Sequence, residues 1–297
     1  MKSQSILFAV FVLSAICTTA RGQIFVTISP GGANGTIGEY TTSGATINAS
    51  LITGLADPHG IAVSGSNIFV VNNATQSIGE YTTSGATVNA TLISGLNSPF
   101  EIAVSGDKLF VTTATGVGEY TTSGATVNPS LITGPYGPTA IAVSGTSLFV
   151  GGGGIDFKTI SEYTTSGVLV NASLISSPGL PTGIAVSGSN MFFTHYYLGT
   201  ISQYTTAGAF VTDSLLPTRL SDPHGIAAFG GHLYITNEFT GTIGEYTTSG
   251  VPINTSLVSG LGFYAVDIAV VPEPSTLALA AFGFTALAAW GWRRRKR

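Results

Sequence analysis

Two histidines and two acids fall at one point of a recurring pattern, and they are the side chains best suited to chemistry. When the pattern is aligned on Ile61, Ile102, Ile141, Ile184 and Ile226, His59 and His224 stand two places before the isoleucine. Glu101 and Asp267 stand one place before Ile102 and Ile268. Imidazole and carboxylate together suit a metal ion or the acid–base work of a hydrolase or lyase. Spacing weakens the metal reading: packed sheets stand ~10 Å apart, so inner strands two sheets apart lie roughly 17 Å from each other. The alternative is structural, each histidine closing a Pro-His-Gly turn against backbone. No motif calls for a cofactor, and Gly151 to Gly154 opens no helix and lacks the Lys-Ser/Thr of a phosphate loop.

A second set lies where otherwise uniform units diverge. After the second strand of each unit come Phe157, His195-Tyr196-Tyr197 and Glu238-Phe239, which form an aromatic and acidic patch suited to a sugar or a protein surface if they share one face. The competing reading is that they plug a channel mouth. Glu39, Glu80, Glu119, Glu162 and Glu245, with Gln203 in the fifth copy, look like a catalytic series but recur once per unit. Carboxylates spread evenly around a ring cannot form a dyad, so one structural contact made repeatedly is expected, with the adjoining tyrosines filling space and their hydroxyls near the rim.

The elements that position these residues follow from internal repetition. Tyr-Thr-Thr-Ser-Gly begins at Tyr40, Tyr81, Tyr120, Tyr163 and Tyr246, with Tyr-Thr-Thr-Ala-Gly at Tyr204, so the spacings are 41, 39, 43, 41 and 42. Such a period suits a four-stranded propeller blade. The unit from Asp57 to Leu96 reads as four strands: Ile61-Ala62-Val63, Ile68-Phe69-Val70-Val71, Ile78 to Thr83 and Thr87 to Ile93. The first copy starts at its second strand, Ile24-Phe25-Val26. Its missing inner strand, Val266-Asp267-Ile268-Ala269-Val270, comes last and predicts a closed ring. The expected fold is all-β, a six-bladed β-propeller of four-stranded blades over residues 23–271, sealed by a C-terminal inner strand. Pro58-His59-Gly60-Ile61-Ala62-Val63 and Pro181-Thr182-Gly183-Ile184-Ala185-Val186 resemble NHL repeats. That resemblance implies a platform used by binding modules, hydrolases, lyases and sensors alike.

Both termini read as addresses. Residues 1–22 have the layout of a signal peptide: Lys2, an apolar run from Ile6 to Ile16, then Thr18, Ala20 and Gly22. Residues 272–297 comprise Pro272-Glu273-Pro274, an apolar stretch from Leu277 to Trp292 long enough to span a bilayer, and five terminal cations. This tail resembles the PEP-CTERM sorting signal, which implies an exported bacterial protein, anchored in the membrane by a helix and handled by an exosortase-like enzyme. Cys17, the sole cysteine, lies in the signal segment, so the exported body has no disulfide. From 22 to 271 the chain carries Lys108, Lys158 and Arg219 against thirteen acids, an acidic surface that excludes nucleic acid as a partner. The expected function is that of a non-enzymatic, surface-associated propeller of the envelope or extracellular polysaccharide matrix. The alternative is a hydrolase or lyase at the channel mouth, built from His59, His224, Glu101 and Asp267.

Overall fold

The computed structural model describes residues 22–134, 137–152, 158–177 and 179–273. All regular structure there is β, in six four-stranded antiparallel sheets. Blade 1 takes Gly22–Ile28, Gly35–Thr41 and Thr46–Leu55 from the start of the domain and its inner strand, Ala265–Pro272, from the end. Blades 2 to 6 follow in chain order, with inner strands Pro58–Ser64, Ile102–Ser105, Ala140–Ser144, Pro181–Ser187 and Pro223–Phe229. Each inner strand touches those of both neighbouring blades, and Ala265–Pro272 touches those of blades 6 and 2, so the ring is closed. The closing ladder pairs Ile24 with Val270, Phe25 with Ala269 and Val26 with Ile268. It reaches Gly22 opposite Pro272, one residue beyond each expected limit of the domain. The remainder of the expected signal peptide and the apolar part of the tail lie outside the described residues.

The hydrophobic core is divided among the seams between blades. Ala62, Phe69, Val71, Ile78 and Ile93 of blade 2 pack on Ile102, Leu109, Val111 and Tyr120 of blade 3. Equivalent clusters fill the other seams. The second strands, such as Asn67–Asn72, are apolar on both faces because each face meets a neighbouring blade. Each fully buried Phe or Ile there stabilises the ring by about 1.5–3 kcal/mol.

The repeated Tyr-Thr-Thr-Ser-Gly turn joins one blade to the next. Its glycine has positive φ, +87° at Gly85, and lies so close to the preceding blade that a Cβ would stand 2.7 Å from the Leu51 carbonyl oxygen. The same approach brings Gly124 to Leu92, Gly167 to Leu131, Gly208 to Leu174, Gly250 to Leu215 and, across the closure, Gly44 to Leu257. In blades 1, 2, 3 and 6 the tyrosine ring folds back over the glycine two residues earlier: a Cβ on Gly79 would meet the Tyr81 ring at 2.7 Å. In those four blades the hydroxyl is turned back along its own strand and not out to the rim. Backbone without a side chain lets the ring lie flat in the seam, where burial raises the phenol pKa.

The recurrent acid makes one contact five times, and Gln203 makes it a sixth. Glu39 accepts from Gln23, Glu80 from Asn67, Glu162 from Ser147, Glu119 pairs with Lys108, Glu245 with His232, and Gln203 bonds Asn190. Each link ties the third strand to the start of the second. On the outer strands, Asn48, Asn89, Asn171 and Asn254 each accept the backbone N–H two residues on. Asn128, followed by proline, does the same, so asparagine recurs there for its local turn chemistry.

Gly85→Ala adds a left-handed backbone cost to a clash with the Leu51 carbonyl and is expected to cost about 2–5 kcal/mol. Gly65 has φ +59° but open space around its Cβ, so Gly65→Ala should cost only about 1–2 kcal/mol. Denaturant unfolding of both variants checks this, and equal losses would remove the seam glycine from its role.

Candidate functional site

Loops after the second strands and loops entering the inner strands share one face of the ring, tied by Asn73 N–H to Asp57 O, Ala114 N–H to Asn97 O and Glu238 N–H to Asp222 O. In the middle of that face stand His59, Phe100 and His224. Asp57 and Asp222 adopt φ +53° ahead of Pro58 and Pro223, a conformation Asp tolerates better than most residues. The strands expected to begin at Ile61 and Ile226 begin at Pro58 and Pro223, with irregular pairing in between. Thr236 Oγ1 takes the Gly225 N–H at 2.8 Å, and the Phe100 carbonyl takes the Gly60 N–H.

Phe100 lies between the two imidazoles, its ring centroid 4.6 Å from His59 and 5.8 Å from His224. Tyr196 covers His224 from the other side at 6.0 Å. Burial lowers the pKa of His59, against the pull of Asp57, and that of His224 is driven down to about 3 by burial and by His59. Both rings are therefore neutral near pH 7, and the Nδ1 atoms of both are buried without a hydrogen-bond partner. With a benzyl group between them, inclined 41° and 49° to the two rings, these imidazoles form an aromatic plug. Among the described residues no three His, Cys, Asp or Glu side chains are grouped to hold a metal ion.

Beneath the plug the two acids meet, a pairing that the spacing argument, made about a shared metal, did not foresee. The Glu101 carboxyl of blade 3 comes within interaction range of the Asp267 carboxyl of blade 1, across blade 2, while Glu101 Oε1 is buried without a hydrogen-bond partner. Gly60 lies between them, and its missing side chain makes the room: a Cβ there would fall 2.9 Å from Glu101 Oε2. Threonines aim both acids, Thr112 Oγ1 accepting the Glu101 N–H and Thr27 Oγ1 the Asp267 N–H, each at 2.8 Å. Asp267 Oδ2 accepts the Ile61 N–H at 2.9 Å, pinning the closing strand to blade 2. Burial raises the Asp267 pKa to about 6; burial and then the Asp267 charge raise that of Glu101 well above the usual range. Both shifts run upward, as expected of a buried pair that resists carrying two charges at once. A cavity of about 90 Å3 opens beside the pair, lined mostly by inner-strand isoleucines.

The loop residues separate into two groups. Tyr196 is half-buried and bonds Glu238, which with burial pushes its phenol up to about 12. Tyr197 is 80% exposed and stands edge-on to Tyr196 at 5.0 Å. Phe239 is 61% exposed against Phe263, 5.7 Å away. Sequence reasoning missed Phe263 and Tyr264, exposed residues of the loop entering the closing strand; departure from the repeat at that point was the available signal. His195, expected on the patch, is wholly buried: its Nε2 meets Ser202 Oγ at 2.7 Å, and Ser202 donates to Asp213. That order places the hydroxyl in the middle, unlike a nucleophile triad, and burial lowers the His195 pKa to about 4. Phe157 lies outside the described residues.

Glu101→Gln tests this coupling. A carboxyl whose pKa is raised by folding stabilises the fold at low pH, and that contribution is lost as pH rises through its folded value. Gln stays neutral at every pH. The variant is expected to match the wild type within about 1 kcal/mol near pH 5 and to exceed it by about 1–3 kcal/mol near pH 9. Urea unfolding across that range checks this, and a constant difference would show that the two acids are not coupled.

The PEP-CTERM protein-sorting motif matches residues 270–296. No curated protein matches the chain. Among solved structures, a chain of a nidogen/laminin complex is similar at TM-score 0.70 and 15% identity, covering 84% of this chain and 98% of that one. A streptogramin B lyase is similar at TM-score 0.52 and 18% identity, covering 86% and 74%. A catalytically inactive virginiamycin B lyase from Staphylococcus aureus with quinupristin is similar at TM-score 0.51 and 20% identity, covering 73% and 70%. At these identities the likeness is one of fold, and the chain is a six-bladed propeller that ends in a PEP-CTERM sorting motif, which implies export, membrane anchoring and processing by an exosortase-type enzyme.

Proposed function

We propose that this propeller is a non-enzymatic, surface-associated protein that binds polysaccharide of the envelope or extracellular matrix through the face carrying Tyr196, Tyr197, Glu238, Phe239 and Phe263. The observation that carries the reading is where the chain ends leave the ring. The Gly22 carbonyl accepts the Thr42 N–H, and Gly22 pairs with Pro272, so both ends lie on the face of the Tyr-Thr-Thr-Ser-Gly turns. The aromatic face is the opposite one. A tether at Pro272 holds the turn face toward the anchor and turns the aromatic face toward the surroundings.

The patch has the chemistry of a sugar site. Exposed aromatic rings stack on the apolar faces of pyranoses, and Glu238, Asp222 and Asp57 around them accept hydrogen bonds from hydroxyls. With three cations against thirteen acids between residues 22 and 271, neutral or amino-sugar polymers fit better than anionic ones. Burial of His224 under Phe100 and Tyr196, with Glu101 deeper still, counts against a hydrolase or lyase at the channel mouth.

Tyr196→Ala with Tyr197→Ala is expected to weaken binding to neutral matrix polysaccharide about ten- to hundredfold. Phe210→Ala, on the exposed outer strand of blade 5, should leave binding unchanged. Affinity electrophoresis on variants with native melting curves distinguishes these outcomes. Equal binding by the folded double variant would sink the assignment.

A further inference from the structure

In five blades a nitrogen joins the start of the second strand to the recurrent position on the third. Gln23, Asn67, Lys108 and His232 bring it to a glutamate, and in blade 5 Gln203 brings it to Asn190. Blade 4 has Ser147 instead, whose hydroxyl donates to Glu162 Oε1 at 2.7 Å. Serine is the shortest of the six side chains. Beside it lies a cleft of about 350 Å3, lined by Ser144, Ser147, Phe149 and Glu162 of blade 4 and by Thr206 and Ala207 of the blade 5 turn.

Two further departures from the repeat fall at the same seam. Ala207 replaces the serine of the other five turns and takes a hydroxyl from the wall of the cleft. Ser161 stands where blades 1, 2, 3 and 6 have glycine, so the fold-back that a Cβ on Gly79 would block for Tyr81 is closed to Tyr163. Tyr163 and Glu162 are both half-buried, whereas Glu39, Glu80, Glu119 and Glu245 and the tyrosines beside them are buried. Solvent therefore reaches Glu162, and among the described residues no cation pairs with it.

Blade 3 shows what such a carboxylate takes. There Lys108 Nζ stands 2.6 Å from Glu119 Oε1, and contacts of this kind are about twice as strong as neutral hydrogen bonds. We infer that the cleft between blades 4 and 5 binds the primary ammonium group of an amino sugar, which takes at Glu162 the place that Lys108 Nζ takes at Glu119. The hydroxyls of Ser144, Ser147 and Thr206 suit the ring hydroxyls of a sugar, which an alkyl amine would leave unused. The volume is at the small end for ligand sites and fits a single hexosamine ring. An excess of acids over cations in the body favours a cationic ligand. Thr165 N–H bonds Thr146 O and Thr206 N–H bonds Ser189 O, which places the cleft on the turn face, opposite the aromatic loops. The inference is therefore independent of the reading of that other face.

Amide NMR of the full-length protein in mild detergent, titrated with glucosamine, tests it. Saturable shifts at Ser147, Glu162 and Ala207 are expected, and N-acetylglucosamine, whose nitrogen carries no charge, should bind at least about tenfold more weakly. Ser147→Lys brings an ammonium into the cleft as Lys108 does in blade 3, and Glu162→Gln follows Gln203 of blade 5, so each has a precedent in the ring. Either substitution should weaken glucosamine binding at least about tenfold. No saturable shift in the cleft, equal affinity for the two sugars, or undiminished binding by both folded variants would overturn the inference. So would tighter binding of Nα-acetyl-lysine amide than of glucosamine, which would make the cleft a socket for a protein side chain. If a variant fails to fold, the comparison of the two sugars on the unaltered protein still decides the matter.

Discussion

The structure depends on how closely one blade can approach the next. Six times around the ring, a glycine at positive φ in a Thr-Thr-Ser-Gly or Thr-Thr-Ala-Gly turn sits against a leucine carbonyl of the preceding blade, five times on its outer strand and once, at Leu215, just beyond it. Nothing with a side chain fits there. The approach sets the tilt of each sheet, brings the tyrosine into the seam and leaves the apolar second strands covered on both faces. Because Gly44 meets Leu257 across the point of closure, the contact that spaces neighbours also joins the first blade to the last.

Regularity at the periphery leaves freedom at the hub. In the tilted seams, inward groups from different blades converge on one face, and small differences decide what they do. Gly60 where another blade has Glu101 is the difference between two isolated acids and a coupled pair. Phe100 where other blades have His59 and His224 separates the two imidazoles and makes a plug. The same pair fastens the closing strand to two other blades, so the hub stabilises the fold while its outer surface remains free to bind.

Much of this was legible in the sequence. A period near 41 residues, four short strands per unit and a C-terminal strand matching the missing first one are local patterns, and they gave the propeller and its closure. The recurrent glutamate was readable as structural because it recurs, but its partner was hidden, since Gln23, Asn67, Lys108, Ser147, Asn190 and His232 share a position and no chemistry. Meetings across blades were harder. Sheet spacing spoke only to a shared metal and did not foresee the two acids meeting, which the absence of a side chain at Gly60 permits. His195 read as a loop residue but ends a strand, where Ser202 of the next strand and Asp213, just past the outer one, enclose it.

Thr27 and Asp267, which meet in the closing ladder, are 240 positions apart in the chain. Bringing such distant ends together costs only about 1.6 kcal/mol more than closing a loop the length of one blade, because the entropy grows with the logarithm of length. The larger effect is on order of events. A chain exported from its N-terminus delivers Gly22–Ile28 first and its partner strand last, so blade 1 waits with an open edge through the synthesis of five others. Maturation of the ring is thereby timed to the arrival of the segment that carries the sorting address, and an interrupted chain, lacking that segment, has neither a closed ring nor a destination.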